Sequence, residues 1–167
     1  FDHAPEAGYR PGVAYGTYSA SDVRHVHDDA EHLARNYGYD TIEPLDRAAM
    51  GALVKTELYH GGALDHGAGH LHPLRYALAL AREAEAAGAT IHELTEITAL
   101  EPGEPALLRT TRGTIRADHV ILAGNGYLPG IAPAVSARVM PINSFIAATE
   151  PLPDRWQEIL TRDIAVA

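Results

Sequence analysis

The sequence predicts a mixed α/β fold, on three observations. Long segments with helical apolar spacing are present, extended segments lie between them, and a closely spaced run of β segments follows the last strong helix. Helices alternating with strands and interrupted by a meander point to α/β or mixed α+β architecture.

The opening residues to Gly12 read as loop, and "GVAYGTYS" (Gly12–Ser19) alternates small and aromatic residues as a strand does. A helix follows, with Val23, Val26, Ala30, Leu33, Ala34 and Tyr37 at helical spacing, Ser19 or Ser21 as cap and Gly38 as stop. "PLDRAAMGALV" predicts a shorter helix, and "ELYHGGALD" an extended segment weakened by its glycine pair. Pro73 suits a first helical position with His72 as cap. Leu74, Ala77, Leu78, Ala81 and Ala84 then form an apolar stripe that Gly88 ends. "ATIHE" follows at once as a short β segment, which makes half of a βαβ unit.

Three more β segments are expected in "EITAL", "ALLRTT" and "GTIRADHVILAG", with Arg112-Gly113 as the tight turn between the second and third. The run "HVILAG" is apolar throughout, the pattern of a strand buried on both faces. Beyond it, "VMPINSFIAATEPL" (Val139–Leu152) predicts one long strand and "DRWQEILTRDI" (Asp154–Ile164) a helix.

The 167 residues could bury a sizeable core, and no window is apolar for the roughly 18 residues of a membrane span. Thirteen basic against 22 acidic side chains leave a net charge of −9 and no basic patch, which argues against a nucleic-acid partner. Without cysteine there is no disulfide, thiolate ligand or cysteine nucleophile, and the composition is compatible with a reducing cytoplasm. The start at Phe1 has neither basic n-region nor apolar h-region, so it reads as the interior of a longer chain rather than a signal peptide.

"YHGGALDHGAGHLHP" (Tyr59–Pro73) holds four histidines and four glycines. His70 and His72 alternate and would project to one side of an extended segment, with His60 and His66 nearby. A catalytic zinc usually takes three protein ligands, and no HExxH spacing occurs, so the preferred reading is that one histidine caps a helix and the others bond backbone groups or line a cavity, with metal the lesser alternative. "GGALDHGAG" lacks both the G-x-G-x-x-G order and a Walker lysine. "VILAGNGY" ends a buried-type strand in small residues, where a ligand or another backbone can approach; a plain strand-to-loop turn is the alternative. No serine sits in a G-x-S-x-G elbow, and Glu83, Glu85, Asp28 and Asp29 read as solvated helix surface.

Four runs carry a family resemblance: "YGYDTIEPLDRAAM", "YHGGALDHGAGHLHPLRYALALAREAEAAGATIHE", "ADHVILAGNGYLPGI" and "MPINSFIAATEPL". In this order the segment from Gly12 to Leu152 resembles the D-amino-acid-oxidase-like superfamily of flavoproteins, and most closely its gamma-glutamylputrescine oxidoreductase branch. The resemblance implies a partial FAD-binding Rossmann-like domain with a β-meander, plus part of an antiparallel substrate domain. Residues 1–65 would belong to the substrate domain, 66–136 to the FAD domain, and 137–167 would return to the substrate domain, with Gly61, Gly62, Gly67 and Gly69 letting the chain bend as it first leaves the substrate domain.

The cofactor implied is FAD. Ile97 would contact it by its backbone near the adenine, and Ala123, Gly124 and Asn125 would lie near the diphosphate, although the family often has glycine where Asn125 stands. His70 and His72 are candidates to border the substrate cavity; no catalytic residue and no metal ligand is assigned. The G-x-G-x-x-G unit and the carboxyl-terminal part of such enzymes are missing from these 167 residues. The expectation is that they belong to the rest of the same polypeptide, and that this chain by itself binds FAD weakly or not at all.

The implied activity is oxidation of an amine or amino-acid C–N bond by hydride transfer to flavin, in the cytoplasm, on a gamma-glutamylputrescine-like small molecule. Two alternatives stay open: a catalytically inactive truncated domain of the same fold, and a histidine metal-dependent hydrolase.

Overall fold

A computed structural model describes residues 4–128, 130–153 and 155–167. In chain order the elements are β1 (Arg10–Thr17), α1 (Ala20–Tyr37), β2 (Ile42–Leu45), α2 (Arg47–Leu53), β3 (Gly61–His70), α3 (Pro73–Ala86), β4 (Ile97–Glu101), β5 (Ala106–Thr110), β6 (Gly113–Ala117), α4 (Pro133–Ser136) and β7 (Ala165–Val166). Single 3-10 turns occupy Pro5–Ala7 and Trp156–Glu158. The mixed α/β class expected from the sequence is therefore what the chain adopts. Contacts divide it into two compact units, one of residues up to Ala89 together with Thr149–Ala167, the other of Thr90–Ala148.

The first unit is built on a four-stranded sheet in the order β2-β3-β1-β7. Antiparallel pairing sets Ala14 of β1 opposite Leu64 of β3, and both join a core to which α2 supplies Met50 and Leu53. Leu45, Val54 and Ile164 complete this core, and each large apolar side chain buried there contributes roughly 1.5–3 kcal/mol.

Local chemistry explains the helices. Ser19 Oγ accepts from Ser21 N at 3.2 Å to start α1, and Gly38, left-handed at φ 66°, ends it by donating to Ala34 O. Asp46 Oδ1 accepts from Ala49 N at 2.8 Å to cap α2. His72 Nδ1 accepts from Arg75 N at 3.4 Å to cap α3, with Pro73 in its first turn as expected.

Several expectations need correction here. The stripe assigned to α3 is largely solvent-facing, with Leu74 61% and Leu78 51% exposed; the helix instead buries Ala79, with Tyr76, against Ala4 and Ala7. The extended segment expected from Glu57 begins only at Gly61 but continues to His70. The four glycines of that stretch are thus strand residues rather than bends. A Cβ on Gly67 would stand 2.5 Å from Tyr39 Oη and 2.6 Å from Thr41 Oγ1, and one on Gly62 would run into the Tyr15 carbonyl. Close approach of neighbouring chain, not bending, requires glycine at both.

The helix expected over Asp154–Ile164 is reduced to the Trp156–Glu158 turn, with Asp154 itself outside the described residues. Its apolar residues serve the sheet instead: Leu160 bridges to Val54, Ile164 enters the core, and β7 runs parallel to β1.

The second unit holds the expected meander, β4-β5-β6, antiparallel throughout. Thr110 pairs with Gly113, so the turn centres on Thr111-Arg112, one residue earlier than expected. "ATIHE", "HVILAG" and Val139–Leu152 form no strand. A strand exists by its ladder partner, and among the described residues none pairs with these three segments, however β-like their composition.

Candidate functional site

The largest hollow described in the second unit is a cavity of about 470 Å³. Ile97 and Leu100 of β4 with Leu108 of β5 make one wall, residues 120–124 make another, and Tyr127, Leu128 and Ile131 close it. The meander places the first wall by its register, in which Leu100 stands opposite Leu108. Glu96 supplies the cavity's only carboxylate among the described residues.

The second wall ends in a turn. Tyr127 N donates to Gly124 O at 2.8 Å, with Asn125 and Gly126 in the middle. Asn125 is left-handed at φ 51°, a conformation asparagine tolerates better than most residues. Gly124 packs so closely that a Cβ there would lie 2.5 Å from Leu128 Cδ2. The backbone N–H groups of Asn125 and Gly126 donate to nothing among the described residues. A neighbouring hollow of about 230 Å³ begins at Asn125 and is lined further by Val135, Ser136 and Pro141. Ser136 Oγ donates to Leu128 O at 2.9 Å and so ties α4 to the turn.

Apolar walls suit a flat ring system, and consecutive free N–H groups around a left-handed residue suit an anion. The hollow is thus of a kind that could take a flat ring against its walls and an anion at its turn. Ile97, Ala123 and Gly124, singled out from distant parts of the sequence, line this one cavity, while Asn125 lines the hollow beside it. Glu96 and Tyr127 escaped the sequence reading. The sequence offers no signal for Glu96 beyond a lone carboxylate directly before β4.

The histidines lie in the first unit and do separate things. His70 ends β3 opposite Arg10; its Nε2 is screened from solvent, lacks a hydrogen bond, and stands 3.6 Å from Asp163 Oδ1. Asp163 Oδ2 accepts from Arg10 Nε at 3.1 Å. His72 is occupied in capping α3. His66 Nε2 meets Glu43 Oε2 at 2.9 Å across β3 and β2. His27, unremarked in the sequence, reaches from α1 to Leu45 O and Gly62 O at 3.2 and 3.1 Å. Among the described residues no three His, Asp or Glu side chains converge as a metal would require. Glu83, Glu85, Asp28 and Asp29 are exposed, as expected of helix surface.

The one buried charged residue among those described is Asp65. Burial alone would raise its pKa, but hydrogen bonds from Tyr39 Oη, Gly67 N, Thr41 Oγ1 and Ala68 N outweigh it and hold the carboxyl below its ordinary value. Its hydrogen bonds go to the chain itself, four donors converging on Oδ1 and the Tyr39 hydroxyl also reaching Oδ2, which makes it a structural carboxylate.

Residues 2–165 match the family described as FAD dependent oxidoreductase (DAO). The chain is 36% identical over 149 residues to the probable oxidoreductase OrdL of Rhizobium meliloti (strain 1021), a match covering 89% of the chain and 35% of the relative. It is 33% identical over 160 residues to the gamma-glutamylputrescine oxidoreductase of Escherichia coli (strain K12), covering 95% and 36%. The chain thus spans about a third of the length of these curated relatives. Among solved structures, L-proline dehydrogenase from P. horikoshii superposes with a TM-score of 0.67 at 18% identity, over 85% of this chain and 39% of that one. Glycine oxidase from Geobacillus kaustophilus gives 0.66 at 20%, over 80% and 38%. At such identities these two establish a shared fold. No helix among the described residues is long and apolar enough to cross a membrane.

Proposed function

The chain belongs to the family of FAD-dependent oxidoreductases, and on that premise we propose that it forms the adenosine-diphosphate side of an FAD site in an enzyme oxidising the C–N bond of an amine or amino acid. The observation that carries this reading is the cavity shared by Ile97, Ala123 and Gly124. In the proposal Ile97 contacts the adenine by its backbone, and Ala123, Gly124 and Asn125 hold the diphosphate through the turn. When bound, FAD would supply the acceptor for the hydride that leaves the nitrogen-bearing carbon as the C–N bond is oxidised. The part of this chain is to orient the nucleotide half and keep water from it.

The substrate class we favour is a gamma-glutamylputrescine-like amine, supported by the 33% identity to the Escherichia coli enzyme of that name. Residues 1–65 and 137–167 are read as substrate-domain pieces and 66–136 as FAD-domain piece. His70 and His72 remain in the proposal as residues bordering the substrate cavity. The same reading assigns the enzyme to the cytoplasm, with which a cysteine-free sequence is compatible.

The test is retention of flavin by the protein expressed with its whole reading frame, followed by visible absorbance after gel filtration. Ala123 is exposed at the cavity wall, so Ala123→Asp sets a carboxylate against the diphosphate without disturbing a core. Flavin retention should fall at least several-fold in this variant while its circular dichroism stays that of the wild type. Undiminished flavin would overturn the assignment.

A further inference from the structure

We infer that Asn125-Gly126 is a site of spontaneous covalent modification, at which Asn125 converts to aspartate and isoaspartate. The chemistry needs a side-chain carboxamide within reach of the next residue's backbone nitrogen, and a nitrogen that is neither shielded nor engaged. The two residues are adjacent, so rotation of the exposed Asn125 side chain can bring its carboxamide to the Gly126 nitrogen, which is unengaged among the described residues. Asn125 is exposed, and its carboxamide makes no hydrogen bond among the described residues. Gly126 carries no side chain to obstruct attack, and its N–H is likewise unbonded among them. The hydrogen bond from Tyr127 N to Gly124 O closes the turn around them without using either group.

The other two asparagines provide the contrast. Asn36 lies in α1, where its Nδ2 donates to His32 O at 3.0 Å and the following residue, Tyr37, is still helical. Asn143 is exposed and outside any regular element, but Ser144 follows it and its side chain stands in the way of attack on the backbone nitrogen.

In the reaction the Gly126 nitrogen bonds to Asn125 Cγ and the bond from Cγ to the carboxamide nitrogen breaks. Ammonia leaves with the proton that the Gly126 amide gives up, and a five-membered imide remains. Water then opens either imide carbonyl, giving aspartate or isoaspartate. Nothing is oxidised or reduced; the net exchange is water in and ammonia out. The turn thereby gains a carboxylate. On the reading in which this turn faces the FAD diphosphate, that charge repels the cofactor, so ageing of the apoprotein would erode its capacity to be loaded.

The experiment incubates the full-frame protein, stripped of flavin, at mildly alkaline and mildly acidic pH, and follows each asparagine peptide by mass spectrometry. Asn125 should convert several-fold faster than Asn143 and Asn36, and faster at alkaline pH, where the attacking amide is more readily deprotonated. Gly126→Ala should slow it several-fold; a Cβ there would meet Pro141 Cβ at 3.5 Å, an ordinary contact, so the turn tolerates the change. An Asn125 that stays intact while Asn143 converts, or that converts as fast in Gly126→Ala, overturns the inference. A parallel sample with added FAD separates the two readings. Protection of Asn125 supports both, whereas rapid conversion without protection upholds the modification and removes Asn125 from the cofactor site.

Discussion

The Tyr39 hydroxyl sits between both carboxylate oxygens of Asp65, at 2.8 and 2.9 Å, joining the residue just past α1 to the middle of β3 across 26 positions of sequence. Thr41 adds a third side-chain contact at 3.1 Å. Because Asp65 is buried, these donors are what make its charge tolerable there. Asp65→Asn should therefore cost about 2–4 kcal/mol of stability, since four donors converge on Oδ1 and a neutral amide oxygen is a weaker acceptor for them than a carboxylate. Tyr39→Phe should cost less, because Thr41, Gly67 and Ala68 remain. Urea unfolding followed by circular dichroism measures both, and an Asp65→Asn protein as stable as wild type would contradict the account.

The same carboxylate sets an acid limit. Its folded-state pKa is held below the ordinary 3.8 by hydrogen bonding that overcomes burial, so the unfolded chain takes up the proton first as pH falls. The stabilisation is complete above that ordinary value and is lost below it, as pH drops through the depressed folded value. Unfolding midpoints measured in an acid series should fall more steeply below pH 3.8 in wild type than in Asp65→Asn.

Two glycines should respond oppositely to alanine. A Cβ on Gly62 would collide with the Tyr15 carbonyl, which is backbone and cannot step aside, so Gly62→Ala should cost about 3 kcal/mol or more. Gly51 lies inside α2 with its nearest neighbour, Thr56 O, 3.7 Å from the added carbon. Gly51→Ala should stabilise by about 0.5–1 kcal/mol through helix propensity. Thermal melts of the two variants read the contrast directly, and similar shifts in both would refute it.

The cap of α3 is the weakest of the three side-chain caps, with Nδ1 of His72 at 3.4 Å from Arg75 N. His72→Ala should accordingly cost only about 0.5 kcal/mol. His72→Asp should gain about 0.5–1 kcal/mol, from a shorter cap and a negative charge at the helix N-terminus. His72→Asn, a neutral cap of the same shape, separates the two contributions: a gain as large as that of His72→Asp at neutral pH would rule out the electrostatic half of this explanation.

What the sequence disclosed tracks how locally each feature is determined. The helix α1 was readable end to end because its caps, Ser19 and Gly38, act within a turn of their own positions. The meander was readable because β4, β5 and β6 find their partners within a few residues. "HVILAG" and Val139–Leu152 carry the right residues for strands, yet a strand needs a second chain segment beside it, and composition does not say which. The glycines around His66 misled for a related reason: a missing side chain looks the same whether the backbone must bend there or a tyrosine must fit against it. In the cavity, Ala123 and Gly124 stood out as small residues ending an apolar run. Glu96 did not, since a lone carboxylate before a strand looks like ordinary surface until Ile97 and Tyr127 close around the same space.

The parallel pairing of β7 with β1 has a consequence for the order of events on the ribosome. Val13 and Ala14 find their second neighbours in Ala165 and Val166, and 153 positions separate Arg10 from its ionic partner Asp163. On a nascent chain emerging from its amino end, β1 can zip to β3 early but must wait for the far end of this segment before its outer edge is paired. Such sequence-distant pairing slows folding, and an unpaired edge in the interval invites association with other chains. The exposed Tyr15 and Tyr18 on and just after β1 add apolar surface to a strand that stays half-paired until the far end of this segment has been made.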